Sequence, residues 1–296
     1  MKNILITTDF SSAADNAAGY ALEVARSMGS SVTLLHVFSL PTSVNCAPLN
    51  IASIKEMRRS AQDRLINLSN NYALKFPEVK INRELIIGNS SAEISEYAFK
   101  NGFDLIVMGG CEGKSLLHHE TGSTTTAIIQ NAHCPVLIVP RHEIFKIPKV
   151  LALACDQYKT INATTLSPLY QLVNAFQTKL IVANISVAQA ESAAHKELVS
   201  FIHPALTTNH QPTKIINAEF QKDSEAILNL VSSEKVDMLI MTTNPKEWSD
   251  HLPVGANPKH IASHTQVPLL TLPVISQSHP VSHLKPYYYE QQQIEY

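Results

Sequence analysis

The segment Asp104-Leu105-Ile106-Val107-Met108 returns as Asp237-Met238-Leu239-Ile240-Met241, 133 residues later. Gly122, Pro135 and Pro140 return at the same separation as Gly255, Pro268 and Pro273. Nearer the start, Ile4 to Asp9 returns as Leu151 to Asp156, with Asp156 147 residues after Asp9, and Val32 to Val37 returns as Leu180 to Ile185 at 148. One separation kept through successive landmarks marks a duplicated unit. The fall from 148 to 133 places a shortened loop and helix after the second strand of the second copy. The chain therefore reads as two homologous α/β domains, 1–143 and 148–275, joined near 142–148. Residues 276–296 hold Pro280, Pro286, three tyrosines and a glutamine run without helical or strand period, and read as a loosely docked tail.

Within the first copy, short apolar runs alternate with helical patterns. Strands are expected over 2–8, 32–37, 81–87, 105–108 and 135–140, and helices over 12–28, 53–75, 90–101 and 122–132. The run Leu105 to Met108 is continuously apolar rather than alternating, which suits a parallel strand covered on both faces. Strand–helix alternation implies a parallel sheet with right-handed crossovers. Ser12-Ala13-Ala14-Asp15 and Ser90-Ser91-Ala92-Glu93 resemble capping boxes. Gly109 and Gly110 close the fourth strand where the chain is expected to turn and a side chain would clash. Thr121-Gly122-Ser123 stands where a helix begins, and free amides after a glycine-bearing turn form an anion site.

Composition narrows the function. The chain has 296 residues, a net charge of −2 and a pI near 6.7, so no basic face invites nucleic acid. No apolar run approaches the roughly 18 residues of a membrane span, and the apolar stretch at the start is too short for a secretion signal. Charged residues make up 16%, below the usual value of about 25%, which points to a large internal or subunit interface. Cys46, Cys111, Cys134 and Cys155 are scattered without a CxxC pair, which fits a reducing cytoplasm.

These residues carry a family likeness. Thr8-Asp9-Phe10-Ser11 after the first strand, Leu34-Leu35-His36-Val37, Gly88 with Ile94, Asp104 to Gly109, Gly122-Ser123 and Pro135 to Val139 together resemble the universal stress protein domain. The whole resembles its tandem form, well over 1–140 and more weakly over 148–275. The resemblance implies two Rossmann-like domains of the adenine nucleotide alpha hydrolase-like type, each a five-stranded parallel sheet of order 3-2-1-4-5 with helices on both faces. It also implies that strands 134–140 and 267–273 pair antiparallel across a pseudo-two-fold axis, with Leu137, Val139, Leu270 and Leu272 at the seam.

The resemblance further implies an ATP pocket in the first domain. Asp9 would stand at the end of the first strand, the Val37 backbone would meet the adenine, and Met108 and Gly109 would lie below the ribose and phosphates. Gly113, Gly122, Ser123 and Thr124 would surround the phosphates. Nucleotide-binding members carry G-x2-G-x9-G-[S/T]. Gly109 and Gly122-Ser123 fit that spacing, but Glu112 occupies the middle glycine and Gly113 follows one residue late. A carboxylate there opposes polyphosphate by like charge. In the second copy Thr242, Pro245 and Ala256 replace the first two glycines and the serine, and no glycine lies between Asp237 and Gly255.

The same residues admit plainer readings. Asp9 and Asp156 are candidate acids, though an aspartate after a strand more often caps a turn. His118, His119 and Glu120 cluster in a loop, but adjacent histidines lack metal-ligand geometry. Cys111 and Cys155 would react only with a lowered pKa. No catalytic constellation appears, so an enzyme of the adenine nucleotide hydrolase type is not expected. The expectation is a cytoplasmic stress-response protein in degenerate tandem form. It acts on an unknown protein partner, with at most a residual adenine-nucleotide site in the first domain and room for a further homodimer. The competing expectation is an ATP-binding regulator with slow hydrolysis.

Overall fold

The computed structural model describes residues 1–39, 51–110, 123–155, 163–185, 213–218, 224–243 and 258–274. The first half runs β1 (Asn3–Thr7), α1 (Ser12–Met28), β2 (Ser31–Phe38), α2 (Ile51–Lys75), β3 (Ile81–Ile87), α3 (Ser90–Lys100), β4 (Leu105–Gly109), α4 (Ser123–Asn131) and β5 (Val136–Val139). The second half runs β6 (Val150–Cys155), α5 (Ala163–Phe176), β7 (Lys179–Ile185), β8 (Thr213–Ala218), α6 (Ser224–Ser233), β9 (Met238–Thr243), α7 (Pro258–His264) and β10 (Leu269–Pro273).

The ten strands among the described residues form one sheet of order β3-β2-β1-β4-β5-β10-β9-β6-β7-β8. Each half is parallel and has the order 3-2-1-4-5, as the resemblance implies. The halves meet where β5 pairs with β10 antiparallel, Leu137 opposite Leu270. Pro135 precedes β5 and Pro140 follows it, so neither removes a donor from the four residues that pair with β4.

The ladder registers repeat with the sequence. Ile106 pairs with Val136 as Leu239 pairs with Leu269, and Ile4 with Leu105 as Leu151 with Met238. The aspartate before each fourth strand does the same work in both halves. Asp104 Oδ2 accepts the main-chain N–H groups of Lys2 and Asn3 at 2.6 and 3.0 Å. Asp237 Oδ2 accepts those of Lys149 and Val150 at 2.8 and 2.9 Å. The separation is 148 at β2, 132 at β3 by register and 133 from β4 onward, so the shortening lies between β7 and β8, over 186–212, outside the described residues.

Both faces of the inner strands are buried, while the edge strand β3 exposes Asn82, Arg83 and Glu84. Ile4, Leu5 and Ile6 are all fully buried, which explains the unbroken apolar runs. One core, under α1, α2 and α5, joins Ile4, Leu34 and Val107 of the first half to Leu153, Leu180 and Ile240 of the second through Leu137, Val139, Leu270 and Leu272. The other, under α3, α4, α6 and α7, holds Leu35, Val37, Ile106 and Met108 with Ala154, Leu239 and Ile261.

Two helix starts fall one residue before the expected boxes. Ser11, not Ser12, caps α1, its hydroxyl accepting the Ala14 N–H at 3.2 Å. Asn89, not Ser90, caps α3, its side-chain oxygen accepting from Ser91 and Ala92 at 3.2 and 3.4 Å. In each case the cap holds an extended backbone while the serine after it is already helical, so the side chain one place earlier reaches the free amides.

Candidate functional site

In each half the strand order reverses beside the first strand, and the crevice at the carboxyl ends of such strands is where open α/β sheets bind ligands. In the first half it lies at the ends of β1, β2 and β4. The register Ile6↔Val107 brings Asp9 and Gly109 to the same end of neighbouring strands.

The turn from β1 into α1 is built by side chains accepting main-chain N–H groups in succession. Thr8 Oγ1 accepts from Phe10, Asp9 Oδ1 from Ser11, both at 2.9 Å, and Ser11 Oγ from Ala14. Phe10 takes a left-handed backbone, φ 64°. For a bulky side chain this conformation is strained, and such strain persists only where neighbours hold it. Here the Arg64 guanidinium of α2 lies 4.2 Å from the Phe10 ring centroid, and the His36 ring lies 4.4 Å from it. Asp9 is exposed, and one carboxylate oxygen serves the turn. The turn-capping role is therefore real, and it leaves the second oxygen at the crevice mouth.

β2 overruns β1. It pairs with β3 as far as Phe38↔Ile87 but with β1 only to Leu35↔Thr7. The last bond to β1 is from Thr8 N–H to Leu35 C=O at 2.9 Å. The next rung of a parallel ladder would join Val37 N–H to Thr8 C=O and Phe10 N–H to Val37 C=O. Both β1 groups are engaged elsewhere. Thr8 C=O lies 2.7 Å from His36 Nδ1, which must carry the proton because a carbonyl only accepts. Phe10 N–H goes to the Thr8 hydroxyl. Val37 thus turns its side chain into the core and its β1-facing N–H and C=O toward the crevice.

At Gly109 the expected clash of a side chain is found, but not a left-handed turn. Neither Gly109 nor Gly110 has a positive φ, so neither makes a left-handed turn. A Cβ on Gly109 would stand 2.7 Å from the Ala13 carbonyl carbon and 2.8 Å from its oxygen, so this glycine lets β4 lie against the first turn of α1. A Cβ on Gly110 would meet Ile138 Cγ2 at 3.2 Å. Met108 is 5% exposed and packs beneath α3 and α4 with Val37, so its side chain belongs to the crevice floor. Ser123 and Thr124 begin α4. Gly113, Gly122 and Glu112 lie outside the described residues, as do Asp156, His118, His119, Glu120 and Cys111.

Sequence reasoning named Val37 but missed Phe10, His36 and Arg64. The available signal was a histidine and a threonine beside the expected strand ends; the bond between them appears only once the register is known.

The described thiols and phenols are muted. Burial, with Asp104 adding, pushes the Cys134 thiol up to about 12, so it is not a nucleophile near neutral pH. The Tyr72 hydroxyl is raised above its ordinary range by burial and by its hydrogen bond to Asp15. Among the described residues no group of His, Cys, Asp and Glu is placed to hold a metal ion, and no helix is long and apolar enough to cross a membrane.

The second half departs at the matching places. Thr242 stands at the position of Gly109. The β6–β7 ladder also runs one pair further, to Cys155↔Asn184, at the places of Thr8 and His36.

Comparison with known proteins agrees with this geometry. The model of the universal stress protein family matches residues 1–140. A universal stress protein of Methanocaldococcus jannaschii is 31% identical over 145 residues, 47% of this chain and 82% of the relative. A second from the same organism is 30% identical over 157 residues, covering 47% of this chain and 95% of that protein. The crystal structure of a universal stress protein from Archaeoglobus fulgidus has the fold over nearly its whole length, with a TM-score of 0.73 at 14% identity, covering 92% of this chain and 98% of the other. With the strand order, the switch-point crevice and these identities in agreement, the chain belongs to the universal stress protein family.

Proposed function

We propose that this protein is a cytoplasmic stress-response protein of degenerate tandem form. It acts by binding a protein partner, and one adenine-nucleotide site survives in its first half. In this reading the domains are 1–143 and 148–275, held as an intramolecular pseudo-dimer, and 276–296 is a tail. Asp9, Val37, Met108 and Gly109 form the base and ribose end of the site. Gly113, Gly122, Ser123 and Thr124 form its phosphate end, at the start of a helix suited to anions.

The observation that carries the nucleotide reading is the overrun of β2 past β1 at the switch point. It presents the main-chain N–H and C=O of Val37 to the gap beside the exposed Asp9 carboxylate. A donor beside an acceptor on one backbone edge fits the N1 acceptor and 6-amino donor of adenine. The second half carries Thr242 and a longer ladder at the matching places, which supports one site rather than two.

Calorimetric titration of the full chain with ATP and magnesium tests this. One ATP per chain is expected, weakened about tenfold by Asp9→Ala, which removes a charged hydrogen-bond acceptor. Absence of heat and of any melting shift at millimolar ATP overturns the nucleotide site. A stoichiometry of two overturns the decay of the second half.

A further inference from the structure

We propose that His36, with the Thr8 hydroxyl, sets base specificity by keeping one rung of the β1–β2 ladder from forming; this rests on the nucleotide reading above. Thr8 stands at the end of the β1–β2 ladder. Its N–H completes the last rung at Leu35, so its carbonyl is in position to receive Val37 N–H and extend the sheet. The His36 ring takes that carbonyl instead at 2.7 Å, and the Thr8 hydroxyl takes the Phe10 N–H that would have reached Val37 C=O. Both halves of one rung are thus satisfied locally, and neither main-chain group of Val37 is consumed by β1.

The duplication supplies an internal control. In the second half Cys155 stands for Thr8 and Asn184 for His36, and there the ladder continues to Cys155↔Asn184. The half that carries threonine and histidine stops one pair earlier, at Thr7↔Leu35. The stop is braced from outside the sheet. Phe10, in its left-handed backbone, sets its ring 4.4 Å from that of His36, and Arg64 on α2 lies over Phe10. A strained residue held by two neighbours keeps the His36 ring over the Thr8 carbonyl.

The freed edge is directional. Adenine presents an exocyclic donor beside a ring acceptor; guanine presents an exocyclic acceptor beside a ring donor. A fixed N–H and C=O pair on one residue accepts only one of these orders in a given pose. His36 is therefore a positioning residue: it touches no ligand and decides whether the reading edge exists.

The test uses the full chain with His36→Asn, the residue of the second half, and His36→Leu, which removes the donor altogether. Two readouts are taken: amide hydrogen exchange at Val37 by NMR, and calorimetric affinity for ATP and GTP. In the wild type the Val37 amide exchanges fast beside a protected Leu35, and ATP binds more tightly than GTP. In both variants Val37 becomes protected, and ATP weakens about tenfold while GTP does not, so the preference collapses. Val37 as protected as Leu35 in the wild type overturns the proposal. So does an unchanged ATP-to-GTP ratio in a variant whose Val37 amide has closed. If the wild type binds neither nucleotide, the nucleotide reading fails, and the exchange data alone decide whether His36 holds the edge open.

Discussion

Lys235 stands where Gly102 stands. Each follows the helix before its fourth strand in a left-handed backbone, φ 52° for Lys235 and 62° for Gly102. The residues after them, Val236 and Phe103, donate to Val231 and Ala98 at 3.0 and 3.1 Å, so the helix ends are closed by the same bonds. The duplication also set Gln177, φ 52°, in the place of Gly29, φ 64°. The second half has the same turns without the glycines that make them easy. A left-handed conformation costs a side chain about 1 kcal/mol relative to glycine, partly offset by the greater freedom glycine gives the unfolded chain. Lys235 is exposed, so Lys235→Gly is expected to stabilise the protein by about 0.5 kcal/mol, while Gly102→Ala destabilises it by about 1 kcal/mol. Urea midpoints measure both; a loss of stability in Lys235→Gly would contradict the account.

Gly109 gives the opposite case, a glycine needed for space rather than for φ. A methyl at this position meets Ala13 backbone at 2.7 Å, and backbone cannot step aside as a flexible side chain can. Gly109→Ala should cost about 2–3 kcal/mol through overpacking at the β4–α1 contact. The control is Gly19, inside α1, where an added Cβ meets nothing within 4 Å, so Gly19→Ala should be neutral or stabilising. Equal losses for the two variants would remove the packing explanation.

How far the sequence reaches is visible in these pairs. Periodicity and the repeat are enough for the strands and helices of the first half and for their counterparts in the second; the sheet order came only from the family resemblance. Asp104 and Asp237 could be matched by spacing alone. That both bind the backbone of the first strand of their own half emerges only when β1 and β4 are adjacent. The caps were misplaced by one residue because serine follows Ser11 and Asn89 directly, and composition does not say which of two neighbours remains extended. Gly109 was legible as a glycine that must be there, but its reason, the backbone of Ala13, lies on another element. His36 and Phe10 escaped because their roles replace a ladder bond, and no pattern in one strand reveals a bond left unmade with its neighbour.

Alkaline pH should weaken the fold. Burial pushes the Cys134 thiol up to about 12 from an ordinary value of 9.0. Between those values the unfolded chain releases the proton and the folded chain keeps it. The folded state therefore binds more protons, and its stability falls as pH rises through that window. Tyr20 and Tyr72, both raised above their ordinary value by burial, act in the same direction at higher pH. The melting temperature should drop between pH 9 and 11. Cys134→Ala should reduce that slope while costing some stability at neutral pH through lost packing. A slope unchanged in Cys134→Ala would assign the alkaline loss to the tyrosines alone.

The seam makes the two halves one thermodynamic body. Leu137 and Leu270 sit opposite each other across the antiparallel pair and are 2% and 1% exposed, inside a core that runs without a break from Ile4 to Ile240. Thr271 adds a bond from its hydroxyl to Val136 C=O at 3.3 Å. Each of Leu137→Ala and Leu270→Ala should cost about 3 kcal/mol, by lost burial and an unfilled cavity. Because the two cavities adjoin, the double variant should depart from additivity by about 1 kcal/mol. Residues of both halves share the core, so urea should unfold the chain in one transition followed identically by fluorescence and circular dichroism. Two separated transitions would mean that the halves fold independently and that the β5–β10 pair contributes little; additive leucine losses would point the same way.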